Sequence, residues 1–210
     1  MPRIGLTAAG LTEAAARMAD EVGLEGVSLS ALARRFGVRD ASLYSHVRNL
    51  RELRVRVALL AASELADRIS TAIAGRAGHD ALAAFADAYL GYAIDHPGRY
   101  AATHLRLAPE EVAATGADPS GPRRGAELTY AVLRAHGLAE PDLTDAVRLL
   151  RATLHGWAHL ELADAFSHPR DLRESRARCV EALHSLLGNW PARSEPAPAD
   201  RSDPEGNSRR

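Results

Sequence analysis

The sequence predicts an all-α fold, and three observations carry that prediction. Alternating β-branched runs are absent, while Ala, Leu, Arg and Glu dominate, all strong helix formers. Apolar residues recur at helical spacing. Glycine and proline punctuate the chain near Gly75–Gly78, Pro97, Pro109, Gly116–Pro122, Gly137–Pro141 and Pro169. The 210 residues suffice for one large or two small domains, and 46% hydrophobic against 25% charged residues is a globular balance.

Taken in order, a first helix is predicted over 7–23. A second, over 28–35, starts at Ser28, whose side-chain oxygen can accept a first-turn amide. It places Leu29, Leu32, Ala33 and Phe36 on one face, and small Ala33 lets another helix come close. Gly37 sits where a helix end needs positive φ without a Cβ. A third helix, 39–45, turns Leu43 and Val47 inward. Two helices around a short glycine-containing turn form a helix-turn-helix, whose second helix can enter a DNA major groove.

The outward face of that second helix carries Arg39, Asp40, Ser42, Tyr44, Ser45 and His46. Arg39 has the fork that matches guanine O6 and N7. Ser42 and Tyr44 offer hydroxyls to phosphates or base edges. Arg48, Asn49 and Arg51 lie just beyond, at the place of the sugar-phosphate backbone. With Ser28, these residues apart from Ser45 are the candidate DNA-binding residues. A solvated helix surface is the plainer reading, but the small residue, glycine, inward apolars and outward polars are mutually consistent. From Arg34 to Arg56 seven arginines face only Asp40 and Glu52, on a chain whose net charge is −1. A local basic patch of this kind is the footprint of phosphate contact.

Helix four is predicted over 50–74, with Leu53, Val57, Leu60 and Leu65 keeping one side packed. It follows directly on the DNA-reading segment and so links head and body. Further helices follow at 79–95, 97–106, 121–136, 141–166 and 170–188, with 107–120 as a loop. The helix at 141–166 carries Leu149, Leu150, Leu154, Trp157, Leu160 and Leu162 on more than one side, which predicts burial on two sides. The helix at 170–188 has an amphipathic stripe through Leu172, Cys179, Val180, Leu183, Leu186 and Leu187. Leu150, Trp157, Leu160, Val180, Leu183 and Leu187 are therefore candidate homodimer contacts, a larger monomer core being the alternative.

Residues 7–57 resemble the N-terminal domain of the tetracycline-repressor (TetR) family of bacterial transcription regulators. The likeness runs through Leu-Thr-Glu-Ala-Ala-Ala-Arg-Met-Ala-Asp-Glu-Val-Gly at 11–23, Val27-Ser28-Leu29, Leu32-Ala33, Gly37-Val38 and Ser42-Leu43-Tyr44-Ser45-His46-Val47. It implies a three-helix DNA-binding head on a helical ligand-binding and dimerisation body. One departure stands at Leu50, where the family usually has a phosphate-binding lysine. Arg48 or Arg51 can take over the contact, or Leu50 packs against the body. The body resembles the subgroup named for a Trp-His-Gly element. Its runs here are Gly-Tyr-Ala-Ile-Asp-His-Pro-Gly-Arg-Tyr at 91–100 and Thr-Leu-His-Gly-Trp-Ala-His-Leu-Glu at 153–161, with Leu154 in the tryptophan's place. The subgroup implies a structural role for His155 and Gly156, the glycine allowing close helix approach.

The resemblance places a small-molecule pocket between the helices at 50–74, 79–95, 121–136 and 141–166. Leu82, Phe85, Tyr89, Tyr92 and His96 share one helix face, more often core than pocket. Tyrosines there give apolar area with a polar handle. Phe85, Tyr89, Tyr100, His104, Tyr130 and His155 are the candidate lining residues. His155 and His159, four apart, have a spacing that can hold a metal, but without an HExxH pattern or a nearby cysteine no metal is expected. No cofactor is expected either. No glycine-rich phosphate loop or G-x-S-x-G elbow is present, so an enzyme is not expected. The lone Cys179 fits a reducing compartment and a core position, a redox thiol being the alternative.

No run of 18 apolar residues offers a membrane span, and the start, Met-Pro-Arg-Ile-Gly, has no signal-peptide core, so a cytoplasmic location is expected. Residues 191–210 contain four prolines and no aliphatic larger than alanine, and a disordered tail is expected. The expected organisation is thus a DNA-binding head at 1–50, a ligand-binding and dimerisation body at 51–190, and a tail at 191–210. The expected function is a homodimeric repressor released from a pseudo-palindromic double-stranded DNA operator by a small-molecule effector. An uninduced dimeric regulator, an activator, and a helical ligand-binding or enzymatic protein are the alternatives.

Overall fold

The computed structural model describes residues 6–191, and every regular element among them is helical. Apart from Pro191, the expected tail lies outside the described residues. Helix α1 (Ala8–Val22) begins at Thr7, whose hydroxyl accepts the Gly10 amide at 3.0 Å. It buries Leu11, Ala14, Ala15, Met18 and Ala19. Ser28 caps α2 (Leu29–Phe36) by accepting from the Ala31 amide at 3.3 Å. Gly37 ends α2 in the left-handed region at φ 68°, a conformation a Cβ would disfavour.

The segment that follows differs from the expected α-helix at 39–45. Asp40–Ser45 is a 3-10 helix, the tighter coil used in short pieces. Its anchors are Leu43 and Val47, both buried in the head core. Asn49 caps α3 (Leu50–Ile73) by accepting the Glu52 amide at 2.8 Å. At 24 residues α3 is about 36 Å long. Its Leu53, Val57 and Ala58 belong to the head core, while its Ile69 belongs to the body core. Leu50 packs half-buried against the head core.

The body adds α4 (Gly78–Asp95), α5 (Pro97–Ala102), α6 (Pro109–Thr115), α7 (Ser120–Arg134), α8 (Asp142–Leu162) and α9 (Leu172–Gly188). Three expectations need correction here. The helix expected over 97–106 stops at Ala102. The expected loop at 107–120 contains α6, with Pro109 at its first position, Glu110 and Glu111 in its first turn and a left-handed Gly116 after its end. The eighth helix ends at Leu162, two residues before Asp164, whose φ is 51°.

Two close approaches fix the frame. A Cβ on Gly98 would lie 2.0 Å from the Ala19 carbonyl, so α5 rests directly on the α1 backbone. A Cβ on Gly121 would lie 2.5 Å from the Ser63 nitrogen, so α7 rests on α3 in the same way. Gly156 does no such service within the chain, since a Cβ there meets nothing within 4 Å.

The candidate dimer residues divide. Leu150, Val180, Leu183 and Leu187 are all buried in the body core of their own chain. Side chains already covered in this way have little surface left to give a partner. Trp157 is half-buried, its ring 4.9 Å from that of Phe166 and its indole N–H donating to Glu161 at 2.8 Å. Of the six, Leu160 alone is exposed, at 43%.

Candidate nucleic-acid interface and body cavity

In the head Arg39, Asp40, Ser42 and Tyr44 are all exposed, and His46 is half-buried. Leu43 and Val47 hold that segment in place from beneath, and Tyr44 stands 57% exposed. A large aromatic left so open in a small head has no packing reason to be there. Asp40 is tied down by the Ser30 hydroxyl, which donates to it at 2.6 Å and joins the 3-10 segment to α2. Ser28 and Asn49 serve as helix caps, so their side-chain oxygens are already engaged.

Arg48 and Arg51 are placed otherwise than their sequence positions suggest. Arg48 donates to Glu52 at 2.8 Å and to the Ala114 carbonyl at 3.2 Å. Arg51 holds both oxygens of Glu111 at 2.8 Å and donates to the Arg106 carbonyl at 2.7 Å. Arg56 completes the set by donating to the Thr115 carbonyl and, at 3.0 Å, to Glu52. Three arginines thereby bind the start of α3 to α6. Two of them take carbonyls at its C-terminal end, where the helix dipole favours cations. Burial works against ionisation of Glu52, but hydrogen bonds from Arg48 and Arg56 outweigh it and hold its pKa below the ordinary value. The Arg51 hydrogen bonds bring Glu111 down to about 2. Sequence reading missed this clamp, because Glu111 is 60 residues away from Arg51. Among the described residues Arg34 and Arg39, both exposed, have no ion pair.

A second set of contacts joins head and body at α5. The Arg99 amide donates to Asp20 of α1 at 2.9 Å, and the Arg99 guanidinium pairs with Asp20 at 3.0 Å. The same guanidinium donates to Glu64 of α3 at 3.0 Å, and Glu64 accepts from Tyr92 at 2.8 Å. Burial and the Glu64 carboxylate push the Tyr92 hydroxyl far up, so it stays a donor.

Between α3, α4, α7 and α8 lies a cavity of about 270 Å³. Small residues make the space: Ala58, Ala62 and Ala66 one turn apart on α3, and Gly125 on α7, where a Cβ would meet nothing within 4 Å. Leu65, Ile69, Phe85, Leu107, Val147 and Leu154 supply apolar wall. Of the expected lining residues, Phe85, Tyr89 and His104 face the cavity, and so does Leu150 from the dimer set. Tyr100 and His155 stand behind them. The Tyr89 and Tyr100 hydroxyls are 3.0 Å apart, and the Tyr100 hydroxyl is 2.8 Å from His155 Nδ1. Tyr130 is not in the lining; it packs at the edge of the body core with the Arg134 guanidinium 5.6 Å from its ring centre. Burial, then the charges of His155 and Arg151, lower the His104 pKa and keep its imidazole neutral. Burial raises the Cys179 thiol, against a reactive thiolate. A larger surface hollow of about 480 Å³ near α9 is lined by His79, Asp87, Glu181 and three arginines together with Ala83, Ala177 and Val180.

The cavity adjoins both head–body struts, the α5 contacts and the arginine clamp at α6. Thr103 and His104 directly follow α5, and Leu107 precedes α6 by two residues. A displacement of 103–107 would therefore act on the α5 contact with α1 and on the arginine clamp together.

Comparison with known proteins agrees along the chain. Residues 11–57 match the family model for bacterial regulatory proteins of the tetR family, and residues 82–183 match a tetracyclin repressor-like C-terminal domain. An uncharacterised HTH-type transcriptional regulator of Bacillus subtilis, YobS, is 34% identical over 187 residues, which is 89% of this chain and 95% of that one. Among solved structures, the TetR family regulator PfmR of Thermus thermophilus superposes with a TM-score of 0.59 at 23% identity, over 88% of this chain and 96% of that chain. A TetR variant from Acinetobacter baumannii AYE, in complex with minocycline, superposes with a TM-score of 0.61 at 19% identity, over 86% and 96% of the two chains.

Proposed function

Because the chain belongs to the TetR family and is a DNA-binding transcriptional regulator, we propose that it acts as a homodimeric repressor, released from its operator by a small molecule held in the body cavity. The observation that carries the reading is the cavity's position against the two struts. Its 103–107 wall joins α5, which rests on the head, to α6, which three arginines bind to the start of α3.

In this reading Arg39, Ser42 and Tyr44 meet the major groove. Arg34, exposed and without an ion pair, carries the phosphate contact first assigned to Arg48 and Arg51. His46 and Asp40 border the surface, and Asp40 orients the reading segment through Ser30. A two-fold dimer sets two such surfaces about 34–36 Å apart, one turn of DNA. The faces left for a partner copy are Ala152, Gly156 and Leu160 on α8, one turn apart, and Leu186 on α9, with Leu160 43% and Leu186 40% exposed. The space above Gly156 suits close approach by a partner helix. The Acinetobacter protein, of similar fold, is in complex with minocycline, which supports reading the cavity here as a small-molecule site. No helix among the described residues is long and apolar enough to cross a membrane, which accords with a cytoplasmic site of action. No enzymatic role is proposed.

The effector works by favouring a state with a different spacing of the two reading surfaces. By linkage, DNA weakens effector binding by the factor with which effector weakens DNA binding. Tyr44→Ala and Arg39→Ala test the head. Each should lower specific operator affinity at least tenfold, while circular dichroism and sedimentation report an unchanged folded dimer. Wild-type affinity in both variants would remove this surface from the mechanism.

A further inference from the structure

The polar part of the cavity wall is one-sided in charge. Tyr89, Thr103, His104, Thr129 and Arg151 line it, no aspartate or glutamate does, and the Thr129 hydroxyl donates to the Gly125 carbonyl at 2.8 Å. Most of its donors are already engaged. The Thr103 hydroxyl donates to the Tyr100 carbonyl at 2.7 Å. His104 Nδ1 lies 3.0 Å from that same carbonyl, which can only accept, so the ring's proton sits on Nδ1 and Nε2 is left as an acceptor. The Tyr89 hydroxyl is committed to Tyr100. Arg151 is different: among the described residues no hydrogen bond or ion pair engages its guanidinium. Arg151 is exposed, so a permanent cation with five donors free for a ligand borders an apolar chamber whose lining holds no aspartate or glutamate.

Resting on the effector reading above, we propose that the cavity takes a lipophilic monocarboxylate, its apolar body among Leu65, Ile69, Phe85 and Val147 and its carboxylate forked onto Arg151. The guanidinium plane matches a carboxylate with two parallel hydrogen bonds, which a neutral amide or alcohol cannot reproduce. Size sets the length of the body. At about 270 Å³ the cavity lies just below the usual range of small-molecule sites, which suits a compact acid. A dication or polyamine is excluded by the same wall, since Arg151 would repel it and no carboxylate would receive it.

The test compares acids with their amides by calorimetry on the full-length protein, using six- to ten-carbon straight-chain carboxylates and 3-phenylpropanoate against the matching amides. Wild type should bind the best acid at least tenfold more tightly than its amide. Arg151→Gln should bring the two to equal affinity. Gly125→Leu, which sends a side chain into open cavity space, should lose both. Amides that bind as well as acids to wild type, or an acid preference that survives in Arg151→Gln, would overturn the anionic class and leave the effector cavity standing. Acid binding that persists in Gly125→Leu would place the ligand elsewhere and overturn both. A wild-type protein that binds neither series would overturn the monocarboxylate and leave the effector cavity standing. Far-ultraviolet circular dichroism of both variants separates lost binding from lost fold.

Discussion

Gly98→Ala probes the contact on which the head–body account depends. The new methyl would stand 2.0 Å from the carbonyl carbon and oxygen of Ala19 and 2.6 Å from the Asp20 nitrogen. Ordinary carbon contacts lie near 3.5–4.0 Å, so α5 and α1 would have to part by roughly 1.5 Å. The obstacle is backbone on both sides and cannot turn away as a side chain would. Overpacking of this kind costs roughly 1–3 kcal/mol. The gain in helix propensity, up to about 1 kcal/mol, is small at the second position of so short a helix. A net loss of roughly 1–3 kcal/mol lowers the melting temperature by about 3–10 °C for a chain of this size. Gly125→Ala is the control, because its methyl meets nothing within 4 Å and should raise stability by roughly 0.5–1 kcal/mol. The assay is thermal unfolding of both variants at one protomer concentration, since dimer melting depends on concentration. If Gly98→Ala melts at or above the Gly125→Ala temperature, α5 does not rest on α1 and the head–body coupling loses its first strut.

The clamp at α6 gives a titration prediction: by carboxyl-carbon NMR Glu111 should titrate near 2, and Arg51→Ala should return it towards the ordinary value of 4.5. Glu52→Gln keeps the shape of a buried side chain but leaves Arg48 and Arg56 without their counter-charge, and chemical denaturation should show a loss of about 2 kcal/mol, since the arginine ends are partly open to water. The Glu52 pKa is depressed in the folded chain, so its stabilising effect is complete above the unfolded value of about 4.3 and fades as pH falls through the folded one. The stability gap between wild type and Glu52→Gln should therefore narrow below about pH 4, and a gap independent of pH would exclude the ionised carboxylate as its source. Leu43→Ala empties a fully buried site beneath the reading surface and should cost about 2–5 kcal/mol in the same assay.

Much of the head was legible in the sequence because its signals are local. Ser28 at a cap and Gly37 at a left-handed turn each act within four residues, and both do in the structure what their residue types require. The same kind of signal marked α6, with Pro109, two glutamates and Gly116 in order. The small turn formers around it masked a seven-residue helix as loop. Arg48 and Arg51 illustrate the opposite case. A run of arginines declares charge, but whether it faces a phosphate or an internal carboxylate depends on Glu111 and on carbonyls more than 50 residues away. Periodicity had the same limit at Leu150, Val180, Leu183 and Leu187. It showed that a helix face is covered, and the cover proved to be the chain's own core. The cavity's aromatic set was half-visible, since Phe85 and Tyr89 share a helix face, whereas Arg151 gave no sign in sequence that it would border the same space.

The most direct test of the account is an equilibrium titration of the protein against the intergenic DNA beside its own gene, at two salt concentrations with random DNA as competitor. A specific dimeric reader should bind tightly despite the competitor, and its affinity should fall with salt as phosphates and counterions exchange. Binding that vanishes into the competitor signal, with no salt dependence on random DNA either, would contradict the assignment of the exposed head surface around Arg39 and Tyr44 to DNA.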